Sequence, residues 1–327
     1  MSTPDDREGF PRFRDVPDDI ACRILELAAE DQAVCYNCVL LSRKAKVWVE
    51  PLLYRDIAID SRTRLSNLHR TVQSHPTKSS DFFSSHVRSL YIRGGHPRWK
   101  LLDGVLKACQ KVQKLGLVFL GDSLLDDDDD DAWREIRPQM LSLPMTLFKP
   151  THRHFRLKLD AVQPSIFANI THVELIVNNT LGPESWSWSS LADLKTLTHL
   201  CLSTLSVKTE CLEVARDHIA TATPFFPHSL VVCVLAIQYA RLDWGLQRLL
   251  EDGRWNIDDR VVVALTESYY DRRRGTEGEW IEKEVVRREQ PYRELRSGCP
   301  WESMISFWDR AERKIAEKRQ AQSREQL

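Results

Sequence analysis

Cys35-x-x-Cys38 is the only pair of thiols in this chain at a spacing that metal or redox chemistry uses. Zinc would need two further ligands at matched spacing, and the neighbouring sequence offers none. A redox dithiol would follow a strand, whereas this pair sits inside a helical pattern, so both thiols are assigned to packing. His152 and His154 flank Arg153 without acidic or cysteine partners nearby, and read as surface groups. Six consecutive aspartates, Asp126 to Asp131, repel one another and belong in solvent as an exposed insertion over 122–131, where an acidic recognition patch is an alternative use. No phosphate-cradling glycine loop, dinucleotide fingerprint or His-Glu-x-x-His helix occurs. Arg272 to Arg274 and Arg287-Arg288 are short and interleaved with glutamates, which is the texture of a solvated face and not of a nucleic-acid track.

One string invites a nucleophile. Phe119-Leu120-Gly121-Asp122-Ser123-Leu124 places Ser123 behind the apolar run Leu115–Leu120, and it resembles the nucleophile block of GDSL-type esterases. A serine acting in this way needs a histidine base and oxyanion donors. The base in that group usually follows an aspartate by two or three residues. The chain has no Asp-x-x-His and no Gly-x-Asn block. Ser123 is therefore read as a polar turn residue, with an esterase kept as the alternative.

Bulk numbers narrow the class. The chain has 327 residues, enough for roughly two or three domains of about 100–200 residues. Hydrophobic residues make up 42%, so a sizeable core can form. With 46 basic and 47 acidic residues the net charge is −1, which supplies no global field for nucleic acid or membrane. The longest apolar candidate, Ser229–Ile237, is strand length, far below the about 18–20 residues of a spanning helix. Met1–Phe13 is polar and lacks an apolar leader core. Eight dispersed cysteines then read as reduced thiols, and the expected setting is intracellular, cytoplasmic or nuclear.

The elements that must position any site begin after a disordered 1–14. Val16-Pro17-Asp18-Asp19-Ile20 opens a helix, with Pro17 suited to its first position and the aspartates set against the positive end. Ile20, Ile24, Leu27 and Ala28 define its apolar face. A second helix starts at Asp31 with Val34, Cys38 and Leu41 on one side. A third follows Ser42 as N-cap, carries Val47 and Trp48, and is ended or bent by Pro51. This 15–56 unit is too small to be very stable alone, so it should dock on something.

Beyond it, short apolar runs recur over 57–298. They are Ile57–Ile59, Val87–Ile92, Val112–Val118, Phe155–Leu159, Val173–Val177, Leu197–Leu202, Leu230–Leu235 and Val261–Leu265. Several share an apolar-x-x-apolar-x-apolar core, and Leu90 to Leu115 and Leu175 to Leu200 are both steps of 25 residues. That step lies within the roughly 20–29 residues of leucine-rich repeats, although an asparagine ladder is missing. Leu101–Leu106 fits the helical side of such a unit. Trp186 and Trp188 either cap the core edge or sit exposed. The fold class expected is α/β: a three-helix unit, then an irregular repeat solenoid with a parallel sheet. Residues 299–318 form a C-terminal helix, with Trp301, Ile305, Trp308, Ala311 and Ile315 on one face, that caps the open end. A flexible tail over 319–327 follows.

Val16-Pro17-Asp18-Asp19-Ile20, Ile24-Leu25, Leu27, Leu40-Leu41-Ser42-Arg43 and Trp48 together resemble an F-box. Trp48-Val49-Glu50-Pro51-Leu52-Leu53-Tyr54-Arg55, Asp259–Val262 and Phe307–Glu312 are similar to the form common in mushroom-type fungal F-box-like proteins. Asp18-Asp19 stands where glutamate is more usual, and Cys35 and Cys38 replace a leucine core in the second helix. The resemblance implies a substrate-recruiting subunit of a cullin-based, SCF-type ubiquitin ligase. By the resemblance, Val16, Pro17, Ile20, Ile24, Leu25, Leu41, Ser42 and Trp48 are the contacts to that ligase's adaptor subunit or the direct support of those contacts. The repeat domain would hold an unidentified protein substrate. It implies no catalytic residue, metal or cofactor, and no nucleic-acid or membrane partner. A solenoid interaction protein without ligase association is the alternative.

Overall fold

The computed structural model describes residues 16–75, 78, 80–93, 99–118, 135–147, 166–177, 188–204, 209–238, 257–266, 286–288 and 300–325. The chain divides into two compact units, Met1–Asp56 and Ile57–Leu327.

The first unit is helical: α1 (Asp18–Ala28), α2 (Gln32–Leu41) and α3 (Arg43–Arg55). Pro17 stands one residue ahead of α1 with an extended ψ of 144°, and its carbonyl accepts the Ala21 N–H at 2.9 Å. It is the N-cap, not the first helical residue expected. Asp31 caps α2, its carboxylate accepting the Ala33 and Val34 N–H groups at 2.8 and 3.2 Å. Ser42 caps α3 by accepting the Ala45 N–H at 3.0 Å. Pro51 neither ends nor interrupts α3, which continues to Arg55. A proline costs one backbone bond, here to the Val47 carbonyl. Buried Val49, with Leu52 and Leu53 packed on the unit's core, holds the turns on either side.

The second unit is built on a nine-stranded sheet in strict sequence order. Its strands are β1 (Asp56–Ile59), β2 (Ser89–Arg93), β3 (Lys114–Val118), β4 (Met140–Pro144), β5 (His172–Val177), β6 (His199–Thr204), β7 (Val232–Gln238), β8 (Val261–Thr266) and β9 (Val286–Arg288). Every pairing from β2 to β9 is parallel. Helices α4 (Arg62–Ser74), α5 (Ser80–His86), α6 (Trp99–Ala108) and α7 (Thr209–Ala222) lie between strands in sequence.

Register explains the periodicity. Leu90, Leu115, Leu141, Val173, Leu200, Cys233 and Val261 stand side by side, so successive steps are 25, 26, 32, 27, 33 and 28 residues. All seven are buried. Leu90–Leu115 is thus a true register step, whereas Leu175 pairs with Leu202 and not Leu200. A second buried row runs Leu143, Leu175, Leu202, Leu235, Val263. Ahead of the strands, Val112, Ile170, Leu197 and Leu230 each donate an N–H to the carbonyl three residues back, at 3.0–3.2 Å. A backbone ladder then opens β3 to β7. Gln113 N–H donates to Arg88 O, Gln139 to Gln113, Thr171 to Gln139, Thr198 to Thr171 and Val231 to Thr198, at 2.8–2.9 Å. These backbone bonds join successive turns where no asparagine ladder exists.

The last helix, α8 (Pro300–Glu325), runs past residue 318 into the stretch expected as a flexible tail, and it packs on β7, β8 and the last strand, β9. Buried Phe307, Trp308, Ala311 and Ile315 share one core with Cys201, Val232, Val234, Ala236, Val262 and Ala264, so the helix lies on a sheet face. Those strand residues alternate with the buried rows above and point to the opposite side. Residues 319–325 are also helical, and Gln322 Nε2 donates to Asp259 Oδ1 at 3.5 Å. β4, β9 and the helices α4, α5 and α7 are additions to the expected elements. Lying outside the described residues are 1–14, Ser123, Asp126–Asp131, His152, His154, Phe155–Leu159, Trp186, Arg272–Arg274 and the side chains of Arg287, Arg288, Trp301 and Ile305. Among the described residues, no helix is long and apolar enough to cross a membrane.

Candidate functional site

The helical unit has an unusual division of its apolar side chains. Its core is small: Leu25, Ala29, Cys35, Cys38, Ala45 and Val49, with Val39, Trp48, Leu52 and Leu53 packed on it. On α1 the inward stripe is Ala21 and Leu25, followed by Ala29 just past the helix end. The larger stripe Ile20, Ile24 and Leu27 faces solvent at 45–50% exposure. This reverses the simplest expectation from spacing. Small residues at 21 and 29 let the helices approach closely, and the bulkier stripe has no place inside so small a core.

On α2 the buried residues are Cys35 and Cys38, while Val34 and Leu41, expected beside Cys38, are exposed. Tyr36 and Leu40 are exposed as well, Leu40 at 83%. A helix apolar on nearly every side normally lies buried. Val47 on α3 is 71% exposed. Nine large hydrophobic residues are exposed among the described residues, and eight of them fall between Ile20 and Val47. Val231 is the ninth.

The residues singled out from sequence separate by role. Pro17, Ile20, Ile24 and Leu41 are exposed and free to touch a partner. Val16 is half-buried. Leu25 is core. Ser42 is exposed and holds the α3 cap, so its hydroxyl has a structural task. Trp48 packs on the core with the Lys44 ammonium 5.3 Å from its ring centre. Lys44 also pairs with both Asp18 carboxylate oxygens, tying α3 to the start of α1. Leu27, Val34, Tyr36, Leu40 and Val47 complete the exposed set. The signal for them was an excess of apolar residues over what three short helices can bury.

Other chemistry-bearing groups are occupied. Cys35 is buried with its thiol 3.9 Å from the Val49 carbonyl, and burial raises its pKa. The Cys109 thiol is pushed up to about 12 by burial, which suppresses its thiolate. On the sheet face that carries α8, Ser142 Oγ donates to Glu174 at 2.9 Å. His172 and His199 stack nearby, each Nδ1 beside a threonine hydroxyl, and His199 Nε2–H donates to Glu312 at 2.7 Å. Ser142 is bonded to Glu174, and the two imidazoles are bonded to Thr171, Thr198 and Glu312, so these contacts form no serine–histidine pair. Trp188 is buried in a short 3-10 turn, its ring 5.8 Å from that of His218. Among the described residues, no group of three or more His, Cys, Asp or Glu is placed to hold a metal.

Comparison with protein-family models and with curated proteins yields no match.

Proposed function

We propose that this chain is a non-catalytic adaptor with an F-box-like helical unit. In this reading the unit docks on the adaptor subunit of an SCF-type, cullin-based ubiquitin ligase, and the second unit holds a protein client. The observation that carries the proposal is the concentration of exposed large apolar side chains between Ile20 and Val47. Exposed apolar patches of this kind mark interaction surfaces. An apolar groove laid against amphipathic helices is the matching mode of recognition.

The second unit supports the reading independently. Parallel strands in sequence order, an apolar-x-x-apolar-x-apolar core at several turns and steps mostly near 25–28 residues suit an irregular leucine-rich-repeat-like solenoid. Such an arrangement presents scattered surface positions to a client. Holding adaptor and client in one chain raises the client's effective concentration at the ligase.

Co-expression with the adaptor subunit tests the proposal. The intact chain co-purifies with it, and Ile20→Asp or Leu27→Asp abolishes co-purification while leaving the helical content unchanged. An intact chain that fails to co-purify, or variants that bind as the parent does, would leave the solenoid interaction protein without ligase association as the better account.

A further inference from the structure

The sheet face under α8 carries a polar seam beside its apolar strip. Lys114, Met140, His172, His199 and Val232 form one row across β3 to β7. The His172 and His199 rings stack, with centroids 4.1 Å apart and planes 8° from parallel. Trp308 of α8 meets both edge-on, at 5.6 and 5.0 Å. Glu312, one turn on, accepts from His199 Nε2. Farther along, Lys318 Nζ donates to the Val261 carbonyl at 3.2 Å. The Trp308 Nε1–H is buried without a hydrogen-bond partner, so the contact holding the helix's centre includes an unmet donor.

The charged groups that act on the two imidazoles are Lys114 from β3 and Asp309 and Glu312 from α8, while β4 and β7 bring the apolar Met140 and Val232 to the row. Glu174, two residues along β5 from His172, is bonded to Ser142. Burial dominates. It pushes His172 down to about 3, helped by His199 and then Lys114. Burial also lowers His199 against the opposing pull of Glu312 and Asp309. Both rings are therefore neutral at pH 7 with the helix seated, and two stacked imidazolium ions would repel.

We propose that α8 is an acid-released strap: protonation of the stacked His172–His199 pair lifts Trp308 and its helix from the sheet and uncovers the apolar strip of Val232, Val234, Ala236, Val262 and Ala264. The sign follows from linkage. A histidine whose pKa is depressed in the seated state favours seating above its ordinary value of about 6.5 and opposes it below. Each histidine weakens seating by up to about tenfold per pH unit as the pH falls from about 6.5 toward the seated value. This inference does not rest on the role proposed for the helical unit.

Hydrogen exchange of the full chain at pH 7.5 and pH 5.0, corrected for intrinsic rates, tests it. Amides of 307–325 lose protection by at least tenfold at pH 5.0, while those of β2 and α4 do not. The double variant His172→Gln/His199→Gln keeps its protection at pH 5.0. Unchanged protection in the parent overturns the proposal, as does a loss shared equally by β2 and α4. If the double variant does not fold, histidine ring signals of the parent decide. Two rings still neutral at pH 5.5 with the helix seated support the strap. Rings that titrate near 6.5 without loss of helix protection overturn it.

Discussion

Leu25 and Ile20 belong to one helix and one sequence motif, yet they should behave oppositely. Leu25 is buried among Cys35, Cys38 and Val49, so Leu25→Ala should cost about 2–5 kcal/mol and melt the helical unit early in a urea titration followed by circular dichroism. Ile20→Asp touches a half-exposed position and should shift stability by no more than about 0.5 kcal/mol. Its effect should fall on binding. Gly116 offers a second test at this scale. A Cβ there would collide with Tyr91 Cδ2, because Tyr91 stands opposite Gly116 on the neighbouring strand with its ring over that point. Gly116→Ala should destabilise the sheet unit by about 1–3 kcal/mol in thermal unfolding, and Tyr91→Leu in the same chain should recover part of the loss.

Among the elements, α8 is the one whose placement changes the account. It covers strand residues that would otherwise be an exposed apolar strip. A chain ending at residue 299 should therefore bind a hydrophobic dye more strongly than the full chain, whose helical unit already exposes apolar side chains, and should associate more readily. A truncated chain with the parent's dye response would mean that the helix is dispensable cover. Strands were the most legible part of the sequence because short β-branched and leucine-rich runs bounded by polar residues mark strands buried on both faces. β4 was missed because Met140-Leu141-Ser142-Leu143-Pro144 carries a buried serine and ends in proline. β9 was missed because Arg287-Arg288 reads as a solvated pair. The apolar face of α8 was also legible, through Trp308, Ala311 and Ile315. Its destination was not, since a 3.6-residue stripe specifies what is buried and not which surface buries it. The same limit applies to α1, where two apolar stripes compete and only packing against α2 and α3 selects Ala21 and Leu25 as the inner one.

At the scale of the molecule, a helical unit rich in exposed apolar side chains precedes a parallel sheet whose strands follow the chain in order. The proposed adaptor function needs both, one for the ligase and one for the client. Titration of the purified full chain into the purified adaptor subunit, followed by calorimetry, tests this most directly. The parent and Arg64→Ala, a change on α4 in the sheet unit, should bind with equal affinity. Ile24→Asp should weaken binding by at least tenfold, with its melting temperature unchanged. No heat of binding from the parent, or equal affinity for Ile24→Asp, would contradict the account.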